Sequence, residues 1–89
     1  KILAFYDISP IAPVHFLVIP KEHIQSVDMV HEENSAVIAY IFQKIGEIAK
    51  EAGLTNGYRV ISNCGADAGQ TVPYIHFHVL GGKELNWQV

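Results

Sequence analysis

Basic residues are scarce in this sequence, and no basic run occurs along it. Six Lys and Arg stand against nine Asp and Glu, which gives a formal net charge of −3 at pH 7. Proteins that bind nucleic acid by neutralising phosphates present a basic stripe. The composition therefore disfavours nucleic-acid binding. Any phosphate bound by this chain must be held by imidazoles and backbone N–H groups.

Cysteine and long apolar runs are also sparse. The single cysteine, Cys64, cannot form a disulfide within the chain, which favours a reducing, cytoplasmic location. No stretch of about 18 apolar residues and no signal-peptide pattern occurs, so we expect no membrane partner. The chain opens at Lys1, with no methionine, and we expect the natural protein to begin upstream.

The chain is short and yet rich in apolar residues. Its 89 residues predict one domain, residues 1–89, and 49% of them are hydrophobic. A chain of this length is marginal for a self-sufficient core. We therefore expect part of the apolar surface to be buried against a partner subunit.

Hydrophobic patterning predicts two strands, one long helix and two further strands. The helix is expected to begin after a cap at Asn34 or Ser35 and to end near Ala52, before Gly53, because its apolar residues recur every 3.6 positions. The predicted strands are Ile2 to Tyr6, Val14 to Ile19, Tyr58 to Ser62 and Tyr74 to Val79. The order ββαββ predicts an α+β fold, an antiparallel sheet with one long helix on one face.

Two small residues lie beside the apolar stripe of the predicted helix. Gly46 costs about 1 kcal/mol relative to alanine in a helix interior, and Ala39 lies seven residues before it. Small side chains let another backbone approach closely. We therefore predict a homodimer formed through this helix and the strand from Tyr58 to Ser62, with the two sheets joined across a two-fold axis.

The clearest functional pattern lies between Gly69 and Gly82. From Tyr74 to Val79, polar-capable and apolar residues alternate, which is typical of a half-buried strand. Side chains two residues apart share a face, so Tyr74, His76 and His78 are expected on one side. Along a strand the two imidazoles would stand about 6.6 Å apart, a gap that a phosphate could fill.

The spacing of the two histidines is compatible with three kinds of surface. It could be a solvated strand face, a zinc site with two histidine ligands, or a metal-free phosphate site with a histidine nucleophile. A zinc site needs a third ligand, and no Cys, Asp or Glu follows nearby at ligand spacing.

The segment from Gln70 to Gly82 resembles the signature of the histidine triad (HIT) superfamily, in which three histidines alternate with apolar residues. Within it, the chain is most similar to the Hint branch of nucleotide-binding phosphoramidases. The other matching blocks are Leu3 to Pro10, Ala12 to Lys21, Gly57 to Val60, Asn63 and Trp87. The resemblance implies a HIT fold whose N-terminal helix and strand are missing from this chain. The sequence departs from the signature at Tyr74, which replaces the first histidine.

The resemblance implies a hydrolase that cleaves the P–N bond of purine nucleoside phosphoramidates, or related acyl adenylates, without metal or cofactor. By position His76 is the nucleophile, oriented by the backbone carbonyl of Tyr74, and it forms a covalent nucleotidyl intermediate. His78 is expected to hydrogen-bond a phosphoryl oxygen, and His15 completes the catalytic set. The alternatives are a dinucleoside polyphosphate hydrolase of the same superfamily and a catalytically weakened nucleotide-binding scaffold.

Further residues match positions that hold a purine nucleoside monophosphate in the family. Asp7 is expected at the ribose hydroxyls, although an Asp before Ser-Pro also suits a turn. The apolar slot for the base and the phosphate contacts are expected from Phe5, Ile8, Asn63, Gly69, Gln70 and Thr71, together with His76 and His78. Tyr74 and Trp87 are expected to support the site from behind.

The tyrosine at position 74 is expected to slow the enzyme without inactivating it. Its hydroxyl reaches further than an imidazole nitrogen, so we expect it to point past His15 and alter that contact. The carbonyl that orients His76 is unaffected by the side chain. On this reasoning, Tyr74→His would raise the rate of phosphoramidate turnover.

Overall fold

A computed structural model describes residues 1–87 of the chain. It confirms the predicted order of two strands, one helix and two strands, with two short 3-10 turns between them. The elements are β1 (Ile2–Tyr6), β2 (Val14–Pro20), α1 (Ser35–Glu51), β3 (Tyr58–Ile61) and β4 (Phe77–Gly81). Within these residues, no helix has the length and apolar character needed to cross a membrane.

The four strands form one antiparallel sheet in the order β1-β2-β4-β3. In the central pair, Leu17 lies opposite His78 and His15 lies opposite Leu80. At the edge, Ile61 of β3 lies opposite His78. This register places His15 and His78 at the middle of the sheet on the same face, since alternate residues of a strand share a face.

The opposite face of the sheet carries α1 and the hydrophobic core. Phe16 and Val18 of β2 and Val79 of β4 are almost fully buried there, against Ile41 and Ile45 of the helix. The predicted α+β architecture is confirmed, because one helix covers one face. The histidine face has no helix over it among the described residues.

The helix begins where the sequence predicts, but its N-cap residue does not cap it with its side chain. Asn34 occupies the N-cap position without bonding to the first turn of α1. Its Oδ1 accepts the N–H of His31 at 2.7 Å, and its Nδ2 donates to the carbonyl of Met29 at 3.0 Å. The side chain therefore closes the preceding turn. At the other end, Gly53 has a φ of +82°, which suits a glycine after a helix.

The last strand differs from its prediction. It begins at Phe77 and not at Tyr74. The residues before Phe77 lie beside the segment from Pro20 to Gln25. The N–H of Ile75 donates to the carbonyl of Ile24 at 2.6 Å. Alternation from Tyr74 to His76 therefore does not correspond to the pleating of a strand, whereas alternation from Phe77 onward does. The prediction that Tyr74, His76 and His78 lie on a single strand is wrong, because only His78 is part of β4.

Candidate functional site

Three histidines meet on the uncovered face of the sheet. The ring centroids of His15 and His78 are 5.1 Å apart, and those of His76 and His78 are 5.0 Å apart. His15 is 5% exposed, so its ring is part of the protein interior, whereas His76 and His78 are half-buried. The fold thus brings together the three residues that the sequence singled out as catalytic.

The backbone fixes the proton of His76. The Nδ1 of His76 lies 2.9 Å from the carbonyl oxygen of Tyr74. A carbonyl only accepts hydrogen bonds, so we assign the proton to Nδ1. The Nε2 of a neutral ring then carries a lone pair, which a nucleophile requires. The acceptor expected from the resemblance lies at hydrogen-bonding distance.

The proton positions of His15 and His78 follow from a chain of contacts. The N–H of Ile11 donates to Nδ1 of His15 at 3.2 Å, so the proton of that ring is on Nε2. This Nε2 lies 2.9 Å from Nδ1 of His78 and donates to it. Nδ1 of His78 is then an acceptor, which leaves the proton of His78 on Nε2. The pair therefore offers a hydrogen-bond donor beside the lone pair of His76.

The surroundings of His78 favour its neutral form. Burial lowers the pKa of His78 below its ordinary value of 6.5, and the neighbouring His76 and His15 lower it further. Asp7 acts in the opposite direction but has the smallest effect of the four. A neutral His78 is what the proton assignment requires.

Asp7 joins the cluster from the end of β1. Its Oδ2 lies 3.5 Å from Nε2 of His15, and its Oδ1 accepts the N–H of Ser9 at 2.7 Å. No metal ligand follows the two histidines closely in sequence, but the fold brings other candidate ligands to His78 from distant parts of the chain. Ligand atoms of Asp7, His15 and His78 lie within 4.8 Å of one another and could hold a cation together. The hydrogen bond between the two histidines would have to break first.

The residues expected at the base lie on the same face as the histidines or at its border. Phe5 faces Leu17 across the β1–β2 pair, in the same row as His78, and is 48% exposed. Ile8 follows Asp7 in the chain and is 99% exposed. These residues form an open apolar surface next to Asp7, on the β1 side of the histidines.

The glycine loop before the histidines provides fewer free donors than expected. The N–H of Gly69 donates to Ala66 at 3.0 Å, and the N–H of Gln70 donates to Gly65 at 3.1 Å. Both donors are consumed by the 3-10 turn, so the prediction that they bind phosphate is corrected. Thr71 is the remaining candidate of the three.

Two polar side chains that were expected at the phosphate also hold the glycine loop. Gln70 donates through Nε2 to the carbonyls of Gln25 and Val72, at 2.8 and 3.0 Å. Asn63 donates one N–H of its amide to Ala68 at 2.9 Å. The amide of Asn63 keeps a second N–H for a ligand.

Tyr74 lies away from His15, contrary to expectation. Its hydroxyl is 2.6 Å from the carbonyl of Pro20 and 3.1 Å from that of Lys21, at the end of β2. Its ring packs edge-on against His23 with centroids 4.9 Å apart. The side chain points this way because residue 74 precedes the strand. The predicted alteration of the His15 contact is therefore wrong.

Trp87 is not behind the site in this chain. It is 91% exposed, and its ring faces the guanidinium of Arg59 at 6.0 Å. Sequence reasoning missed two contacts that do support the site. The hydroxyl of Ser62 donates to the carbonyl of His76 at 2.8 Å, and the N–H of Ile11 holds His15. Neither has a pattern in the sequence that would have indicated it.

Comparison with known proteins agrees with this fold. A solved HIT family hydrolase from Legionella pneumophila superposes with a TM-score of 0.93 at 42% identity, covering 98% of this chain and 79% of that one. A histidine triad nucleotide-binding protein from Candida albicans superposes with a TM-score of 0.79 at 29% identity, covering 100% of this chain and 69% of that one.

The sequence comparisons extend over almost the whole chain. An uncharacterised HIT-like protein of Rickettsia prowazekii is 52% identical over 87 residues, which span 96% of this chain and 72% of the relative. The model of the HIT domain matches residues 1–85. A match of this extent, together with the shared fold, shows that the chain belongs to the HIT domain family.

Proposed function

We propose that this protein hydrolyses the P–N bond of purine nucleoside phosphoramidates, or the related bond of acyl adenylates, through a nucleotidyl-His76 intermediate. One observation supports this most strongly. The carbonyl of Tyr74 holds the proton of His76 on Nδ1, so that its Nε2 is a nucleophile, and the neighbouring His78 carries a donor.

The reaction proceeds in two displacements at the α-phosphorus. In the first, the lone pair on Nε2 of His76 forms a bond to phosphorus while the P–N bond of the substrate breaks, and the leaving nitrogen takes a proton from solvent and departs as the amine. In the second, water forms a bond to phosphorus and loses a proton to solvent, the bond between His76 and phosphorus breaks, and the neutral imidazole returns. One difficult step is thus split into two easier ones. The Tyr74 carbonyl stabilises the positive ring of the intermediate, because Nδ1–H donates to it more strongly when the ring is charged.

The proton arrangement of the other two histidines supports the same chemistry. His78, held by His15, donates its Nε2–H to a phosphoryl oxygen and lowers the cost of the negative charge that develops there. Asn63 and Thr71 supply further donors. The chain carries few basic residues, and positioned N–H groups replace them in this proposal.

The nucleoside half of the substrate fits the β1 side of the face. The apolar surface around Phe5 and Ile8 would take the purine, and Asp7, with Oδ2 facing the cluster, would accept from the ribose hydroxyls. The Candida albicans neighbour is described as nucleotide-binding, which is consistent with a nucleotide ligand.

We further propose that the protein is a homodimer. A groove of about 390 Å³ runs between α1 and the β3 side of the sheet, and its lining is apolar apart from Ser62. Its exposed margin includes Phe42, 50% exposed, and Val27, 45% exposed. Beside it β3 is an edge strand, whose unpaired backbone groups favour pairing with another chain. A two-fold dimer would cover both features.

Turnover of adenosine phosphoramidate by the purified protein tests the activity. The wild type should release adenosine monophosphate, and His76→Ala should not, while still binding the nucleotide more weakly. His31→Ala is the matched control, because His31 is exposed and lies outside the cluster. Diadenosine polyphosphates belong in the same assay. Their cleavage in place of the phosphoramidate, or equal turnover by His76→Ala, would contradict the proposal.

A further inference from the structure

The segment that carries the acceptor for His76 is tied to the end of β2 by side chains. Besides the backbone bond from Ile75 to Ile24, the Tyr74 hydroxyl reaches the carbonyls of Pro20 and Lys21. On the other side, Nε2 of His23 lies 2.9 Å from the carbonyl of Pro73. Three independent contacts thus hold three consecutive residues, immediately before the nucleophile.

Tyr74 takes part in this arrangement through both its backbone carbonyl and its side-chain hydroxyl. Its carbonyl accepts the proton of His76 at 2.9 Å, and its hydroxyl is anchored at 2.6 Å to a different part of the chain. The direction of a backbone carbonyl follows the dihedral angles of its own residue and the next. The N–H of Ile75 lies in the same planar peptide unit as the Tyr74 carbonyl, and its bond to Ile24 holds one edge of that plane, next to a side chain that is 1% exposed. The side-chain anchor of Tyr74 restrains the angles on the other side.

His23 braces the tyrosine from the outside. Its ring meets the Tyr74 ring edge-on at 4.9 Å, and its bond to Pro73 holds the neighbouring peptide. Neither residue contacts His15, whose partners are Ile11, Asp7 and His78. The pair therefore acts on His76 through the backbone and not through the other histidines.

We propose that Tyr74 is a positioning residue whose hydroxyl, braced by His23, fixes the backbone carbonyl that selects the reactive tautomer of His76. This inference rests on the proposed function for its effect on rate, but its effect on the tautomer exists in the free protein. Removing the hydroxyl leaves the peptide plane of the Tyr74 carbonyl held only by the bond from Ile75 to Ile24, and the plane can pivot about that bond. The Nδ1–H of His76 then loses its preferred acceptor geometry, and the Nε2–H form becomes populated.

The test compares Tyr74→Phe with Tyr40→Phe. Both variants remove one phenolic oxygen, and Tyr40 lies on α1, on the opposite side of the sheet from the histidines. Long-range ¹H–¹⁵N correlation spectra of the ring nitrogens, recorded without ligand, report the tautomer of His76. The kcat and KM for adenosine phosphoramidate report the rate, and thermal unfolding reports stability.

We expect Tyr74→Phe to populate the Nε2–H tautomer of His76 and to lower kcat on the order of tenfold, with KM changed less than about twofold. His23→Ala should shift the tautomer in the same direction by a smaller amount, and Tyr40→Phe should change neither. A single Nδ1–H tautomer and an unchanged kcat in Tyr74→Phe would overturn the inference. If the wild type hydrolyses no phosphoramidate, the proposed function fails, and the spectra still decide the role of Tyr74.

Discussion

His15 and His78 are 63 positions apart in the chain, and their side chains meet with Nε2 of His15 2.9 Å from Nδ1 of His78. The antiparallel register of β2 and β4 creates this contact. Because the Ile11 N–H occupies the other nitrogen of His15, the contact has one direction, from His15 to His78. A backbone group thus determines which nitrogen of His78 can donate to a substrate.

Removing the donor on His15 should impair catalysis through His78. In His15→Leu, Nδ1 of His78 loses its partner, and both tautomers of His78 become populated. We expect kcat for adenosine phosphoramidate to fall about tenfold or more. His15→Gln retains an N–H donor and should recover part of the rate. Equal rates for the leucine variant and the wild type would show that the contact has no role in turnover.

The lowered pKa of His78 predicts a pH dependence of stability. Since the folded-state pKa lies below 6.5, the unfolded chain binds this proton first as the pH falls. The stabilisation is present above about pH 6.5 and is lost progressively as the pH falls toward the folded pKa. Urea unfolding between about pH 7.5 and 5, a range that brackets the ordinary histidine pKa, should show this decline in the free energy of unfolding. His78→Gln should remove part of the slope, and an unchanged slope would contradict the assignment.

Substitution of Gly46 in α1 can separate an effect on dimerisation from an effect on the stability of the monomer. A Cβ added at Gly46 would lie 4.0 Å from the Tyr58 hydroxyl, an ordinary contact, so the monomer tolerates alanine. We expect Gly46→Ala to stabilise the helix by about 1 kcal/mol and yet to weaken the dimer, because the added methyl separates the two backbones.

Sedimentation velocity across a concentration series measures the effect of Gly46→Ala on association. Glu51→Ala, at the exposed end of α1, is the control and should leave association unchanged. A wild-type protein that is monomeric at micromolar concentration would contradict the dimer itself. Unchanged association in Gly46→Ala would show that this face of the helix is not the contact.

Replacing Tyr74 by histidine should lower the rate, which reverses the expectation drawn from sequence. The imidazole is shorter than the phenol and does not reach the Pro20 carbonyl that the hydroxyl contacts at 2.6 Å. We expect kcat to fall in Tyr74→His, as it should in Tyr74→Phe. Steady-state kinetics of the two variants side by side measure this, and a rate above that of the wild type would restore the view of tyrosine as a handicap.

Local pattern was sufficient to predict the order and type of the helix and strands. Strand β1 has its predicted bounds, and α1 differs from its prediction by one residue at its end. These segments show regular periodicity with clear turn or cap signals at their ends. The segment from Tyr74 to His76 alternates equally well but is not a strand, because the N–H of Ile75 donates to the carbonyl of Ile24 and the N–H of Tyr74 donates to Val72. Hydrophobic periodicity in a sequence shows which side chains are apolar, but it does not show which backbone groups form hydrogen bonds with each other.

The chemistry of the site was only partly accessible from sequence. Spacing singled out His76 and His78, and the resemblance added His15. The bonds from Ile11 and Ser62 depend on the register of distant strands, and no local pattern encodes them. The direction of the Tyr74 side chain depends on where β4 begins. The donors of Gly69 and Gln70 are used within a turn that glycine content alone does not specify.

The most direct test of the account is the site of the covalent intermediate. A slowly hydrolysed adenosine phosphoramidate is mixed with the protein, the reaction is quenched, and peptides are mapped by mass spectrometry. The structure assigns the free lone pair to His76, whose Nδ1–H is held by the Tyr74 carbonyl. The account therefore predicts an adenylyl group on His76 and none in His76→Ala. An adduct on His78, or turnover without any adduct, would contradict it.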